Sequence, residues 1–237
     1  MHYSHYISLG DSMSVDRYVG EGLGAMSLFT HNKDDAFPEF AGKDLAALFP
    51  GIRSLRCAKD GATSEIVLRH QLRQIARSDE PTLVTLTVGG NDLLIARLLE
   101  PVIKNGRVTV TPDTLTMYES NLNRIIERLR EKRPQSAIIL STVYDPTDGS
   151  GTISPDSLPV DLTALEACNE IIKRTAAIHD CPVADTHTHF RGHGCATSPV
   201  PSERESDPDY WYTSVIEQNK TGAHEFRRIL WKILTTS

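Results

Sequence analysis

The chain has 237 residues, 39% of them hydrophobic and 24% charged, and a formal charge of −6 from 25 Lys and Arg against 31 Asp and Glu. This is the balance of an ordinary soluble globule with room for one larger α/β domain, and the mixture of signs, with no long Lys/Arg run, excludes a general nucleic-acid binder. No segment approaches the roughly 18 apolar residues of a membrane span, so no membrane association is expected. Cys57, Cys168, Cys181 and Cys195 are widely spaced with no C-x-x-C pair, which points to reduced thiols rather than a zinc cluster or a disulfide framework. The first residues, Met1-His2-Tyr3-Ser4-His5, lack the basic n-region of a secretory leader, and a cytoplasmic location is the expectation.

Strand and helix patterns alternate along the chain. Tyr6–Leu9 reads as a short apolar strand running into Gly10. Glu39–Phe49 has the apolar spacing of an amphipathic helix, stopped by Pro50-Gly51. Ser54–Cys57 is a weak strand, and Ser64–Arg77 a helix that Thr63 or Ser64 can cap. Thr82–Val88, rich in β-branched residues and ending in Gly89-Gly90, is the clearest strand. After it, Asn105-Gly106 between alternating apolar residues predicts a hairpin across 101–111. Asp113–Arg133 follows as a long helix, then strand Ala137–Thr142, helix Leu162–His179, a short strand Val183–Asp185 and a closing helix Gly222–Leu234. The loop 186–218 is too long for a plain connection and is expected to border the active site. Within it, Tyr210-Trp211-Tyr212 reads as an anchor to the body or as an aromatic wall.

This alternation implies βαβ crossovers and hence a single three-layer α/β/α domain over 1–237, with about five mostly parallel strands and a ligand site outside their carboxyl ends. Three motifs stand at those ends: Gly10-Asp11-Ser12, Asp60-Gly61-Ala62-Thr63 and Gly89-Gly90-Asn91-Asp92. A serine nucleophile needs an exposed turn and a base. The oxyanion of acyl transfer needs donors already aimed at it, for which a glycine amide and a neutral asparagine amide are suited. Singly, each motif is explained by a turn.

Jointly, in this order and at these positions, they resemble the SGNH hydrolases, the GDSL-type esterase and lipase superfamily. The resemblance covers essentially the whole length. It implies a flavodoxin-like fold, no cofactor, a small-molecule ester substrate, Ser12 as nucleophile and first oxyanion donor, Gly61 as second donor and Asn91 as third. It leaves the oligomeric state and the substrate open.

The family's last block, D-x-x-H-P-N-x-x-G, is altered. Here the segment runs Val215-Ile216-Glu217-Gln218-Asn219-Lys220-Thr221-Gly222-Ala223-His224, and aligning Asn219 and Gly222 puts Glu217 where the histidine belongs. Four arrangements remain open. The base is sought first in the loop after the last strand, with His193 between two glycines preferred, or His187 or His189 oriented by Asp185. His224 in the closing helix is the second, and Glu217 itself, with a pKa raised by burial, the third. In the fourth the triad is broken and the protein binds an ester or carbohydrate without cleaving it. Asp185-x-His187-x-His189 also permits a metal-dependent phosphoesterase, since alternate residues of an extended strand face one way.

Overall fold

The computed structural model describes residues 2–153, 158–198 and 200–236. Strand β1 (His5–Gly10) leads into a 3₁₀ turn at Ser12–Ser14 and helix α1 (Ala25–Thr30). The expected helix over 39–49 is instead a 3₁₀ turn, Pro38–Phe40, and a short helix α2 (Leu45–Leu48). Gly42 at φ +72° breaks the run, and Asp44 restarts it by accepting from the Ala47 amide. Strand β2 (Arg53–Arg56) and helix α3 (Ser64–Arg69) follow, α3 capped by Thr63. The helix expected to reach Arg77 stops early because Gln71 turns inward to serve β1, and the chain continues as a 3₁₀ turn over Gln71–Gln74.

Strand β3 (Thr82–Thr87) is buried at every residue, as a central parallel strand must be. It feeds α4 (Gly90–Leu99), whose apolar run has no polar face to reveal a helical period. The hairpin β4 (Val102–Lys104) and β5 (Arg107–Thr109) turns through Asn105 and Gly106, both at positive φ as the Asn-Gly signal requires. Then come α5 (Pro112–Lys132), β6 (Ser136–Ser141), α6 (Thr163–Ile178) and β7 (Val183–Ala184). The long loop contains two short helices, α7 (Thr186–His189) and α8 (Pro201–Arg204), and a second hairpin, β8 (Tyr212–Thr213) with β9 (Glu217–Gln218), before α9 (Lys220–Thr236).

The central sheet has the order β2-β1-β3-β6-β7 with every pairing parallel, an α/β three-layer arrangement. Alternate strand residues point to opposite faces. Ile7, Leu9, Val84, Leu86, Ile138 and Leu140 therefore join the core under α3, α5 and α6, while Tyr6, Leu83 and Ile139 join the core under α1 and α9. Chain order reverses between β1 and β3, the switch point where such sheets open a crevice at their carboxyl ends. Tyr210, Trp211 and Tyr212 are buried against Tyr144 and Phe190 and anchor the long loop.

Candidate active site

Two strand ends build the crevice. At the end of β1, Gly10 has φ +121°, and a Cβ there would overlap the Thr87 carbonyl of β3. Only glycine lets the strands stay paired to this point. Gln71 clamps the same residue, its Oε1 accepting from Gly10 N at 2.8 Å and its Nε2 donating to Gly10 O at 2.7 Å. The next amide, Asp11 N, donates to Thr87 O at 3.1 Å, and Asp11 Oδ1 accepts from Met13 N at 3.2 Å. Ser12 is thereby the first residue of a pinned turn and half-buried, and its amide is among those that the start of a helical turn leaves without an intrahelical partner.

At the end of β3, Gly89 (φ +129°) turns the chain into α4, and a Cβ there would press on Tyr118 and Cys168, each at 3.0 Å. Asn91 follows in the first turn of α4, its Nδ2 donating to Ala62 O at 3.2 Å. A side-chain amide carries two N–H donors, so one stays available to a ligand. Asp92 accepts from Ser64 N at 2.9 Å and Ser64 Oγ at 2.5 Å, and Asn121 Nδ2 donates to Ser64 Oγ at 3.1 Å. This network, signalled in sequence only by the Asp of Gly-x-Asn-Asp, ties the third motif to the second. Gly61 (φ +74°) has open space where its Cβ would be, so it is glycine for its backbone conformation and not for room. It adjoins Ala62, whose carbonyl holds Asn91.

The third wall comes from the distant hairpin. Gln218 Nε2 donates to Met13 O at 2.8 Å, and Tyr144 Oη donates to Ile216 O at 2.7 Å. The intervening Glu217 lines the same cleft as Ser12, and the Ser12 hydroxyl is near enough to act on its carboxylate. Glu217 is buried, its Oε2 has no hydrogen-bond partner among the described residues, and burial pushes its pKa up against the opposing influence of the Ser12 hydroxyl. Asp11 behind it is raised to about 7, chiefly by burial, with Glu217 and Asp92 adding repulsion. Ser12, Asn91, Glu217 and Asp11 line one cleft of about 120 Å³, with Leu93, Leu94, Val143 and Ile216 among its apolar walls.

The histidines are elsewhere. His193, expected as the base, does not line this cleft. Its ring stacks on Trp211 with centroids 3.4 Å apart, and its Nδ1 is bonded to Asp209 O at 2.8 Å. His224 faces the opposite way into a cluster with Phe37, Glu39 and the fully buried Arg227. His187 Nδ1 bonds Val143 O at 3.1 Å, and His189 Nε2 pairs with Glu225 at 2.9 Å.

Nor do Asp185, His187 and His189 converge as a metal site. The segment is a turn of helix and not a strand, so its alternate residues diverge, and Asp185 is occupied by Thr142 and Thr188 as the cap of α7. Among the described residues no three His, Cys, Asp or Glu side chains are grouped to hold a metal ion. The four cysteines are free thiols, and no described helix is long and apolar enough to cross a membrane.

The cleft is lined by the Ser12 hydroxyl, the Glu217 carboxylate and the Asn91 side-chain amide, groups of the kinds that acyl transfer uses, while Gly61 is not part of its lining. The profile of the GDSL-like Lipase/Acylhydrolase family matches residues 8–201. Among curated protein sequences none matches. Several solved structures share the fold. A lipolytic protein of the G-D-S-L family from Veillonella parvula is 16% identical with a TM-score of 0.63, covering 98% of this chain and 99% of its own. Phospholipase A1 from Streptomyces albidoflavus is 20% identical at 0.61, covering 96% and 98%. A psychrotrophic esterase from a Pseudoalteromonas species is 13% identical at 0.59, covering 98% and 97%.

Proposed function

The chain belongs to the GDSL-like lipase/acylhydrolase family and is an ester hydrolase, and from that premise we propose a serine mechanism on Ser12 in which Glu217 replaces the usual histidine as general base. Glu217 takes the Ser12 hydroxyl proton as Oγ attacks the ester carbonyl, and the tetrahedral oxyanion is held by the amides of Ser12 and Gly61 and by Asn91 Nδ2. Collapse expels the alcohol, which receives the proton from Glu217. Water, deprotonated by the same carboxylate, then releases the acid and frees Ser12. The acyl group crosses from oxygen to oxygen with no net redox change and no cofactor in the cycle.

The observation that supports this reading is a buried Glu217 in the cleft that also holds Ser12 and Asn91, with the Ser12 hydroxyl near enough to act on its carboxylate. A carboxylate at its ordinary pKa is a weak base toward serine. Burial that raises Glu217 moves it toward the operating pH, where a general base is most effective. The restricted cleft favours a small soluble ester over a lipid surface. Hydrolysis of 4-nitrophenyl acetate, with Ser12 labelled by a fluorophosphonate, tests the reading. Ser12→Ala loses both turnover and labelling while keeping the wild-type circular dichroism. Turnover retained by that variant overturns the mechanism, and an unlabelled, inert wild-type protein favours an ester-binding role instead.

A further inference from the structure

One cation among the described residues lining the cleft is left over by this chemistry. Arg97 lies on α4 six residues after Asn91, about 9 Å further along the helix at 1.5 Å per residue, and lines the same cavity. Its Nη2 donates to the backbone carbonyl of Asp161 at 3.1 Å, and its Nε is buried with no partner. No carboxylate lies within ion-pair distance of it among the described residues.

Asp161 and Asp145 act on it only through space, and each carboxylate accepts hydrogen bonds from its own turn. Asp145 accepts from Thr147 and Gly149, and Asp161 accepts from Thr163. A partly desolvated guanidinium with a neutral partner and spare donors is costly, and a ligand carboxylate matches its forked geometry.

We propose that Arg97 is a specificity-determining residue that receives a carboxylate at the far end of the substrate's acyl arm, so that the preferred substrates are half-esters of short dicarboxylic acids. The inference rests on Ser12 and Asn91 defining the reacting end. The same cavity has Leu93, Leu94, Val160 and Leu162 in its lining, apolar wall that suits a few methylene groups.

The test compares 4-nitrophenyl esters of glutaric acid, with its second carboxylate free, and of pentanoic acid. Wild-type protein shows a kcat/KM ratio favouring the glutarate ester, and Arg97→Gln lowers that ratio by about tenfold or more, the worth of one charge-assisted hydrogen-bond pair. Arg97→Lys restores part of the ratio. An unchanged ratio in a folded Arg97→Gln variant, or no preference in the wild type, overturns the proposal.

Calorimetric binding of glutarate against pentanoate to the Ser12→Ala protein supplies a readout without turnover. Tighter glutarate binding that Arg97→Gln abolishes supports Arg97 even if the serine mechanism fails. Equal binding of the two acids sinks the proposal while leaving that mechanism intact.

Discussion

Glu217→Gln separates catalysis from folding at one atom pair. The amide keeps the shape of the carboxylate beside Ser12 but cannot take a proton at neutral pH. General-base catalysis contributes about 10²–10⁴-fold, or about 3–5 kcal/mol at 1.36 kcal/mol per tenfold. The variant is therefore expected to lose that much kcat on 4-nitrophenyl acetate at pH 7, with KM little changed.

Stability moves the other way with pH. Glu217 is buried and its pKa is raised in the folded state, so the folded protein binds a proton more readily than the unfolded chain. Its contribution is fully present below the ordinary glutamate value and is lost as pH rises through the raised value. The glutamine does not titrate, so the melting temperature of Glu217→Gln relative to wild type should climb as pH goes from about 4 toward neutrality. Steady-state kinetics at pH 7 and thermal melts across pH 4–8 read both effects. A variant that keeps more than about a tenth of wild-type kcat refutes Glu217 as base, and a stability difference flat in pH refutes the burial argument.

Asn91→Ala should lower kcat by about 10²–10³, the worth of one oxyanion donor, in the same ester assay. His193→Ala removes a ring stacked on Trp211 and bonded to Asp209 O. It should cost about 1 kcal/mol in urea unfolding with activity largely kept, and a kcat loss comparable to that of Glu217→Gln would return the base to the loop. His224, buried beside Arg227, has its pKa lowered to about 4, chiefly by desolvation. A histidine depressed in the folded state contributes stability that is present above its ordinary value and lost as pH falls through the folded one. The interval from 6.5 to about 4 is worth on the order of 3 kcal/mol at 1.36 per unit, and His224→Gln should flatten that acid limb in thermal melts.

The order of the central elements was legible because strand β3, helices α5 and α6 and the Asn105-Gly106 hairpin carry their period or turn chemistry in adjacent residues. Helix α4 was missed because its apolar run carries no period. The apolar spacing over 39–49 suggests one helix because it continues across Gly42, whose positive φ ends a helix whatever surrounds it.

At the site the division is the same. Ser12 and Asn91 could be placed from sequence because each closes a strand whose end is marked by glycine, and a parallel sheet brings strand ends together without further information. The placement of Glu217 in the same cleft could not be read that way, since it depends on the β8–β9 hairpin, fastened to the Ser12 turn by Gln218 and Met13 across 205 positions of chain. The same packing turned the histidines of the long loop to Trp211, Val143 and Glu225. Local pattern determined where Ser12 stands, and long-range packing decided what stands beside it.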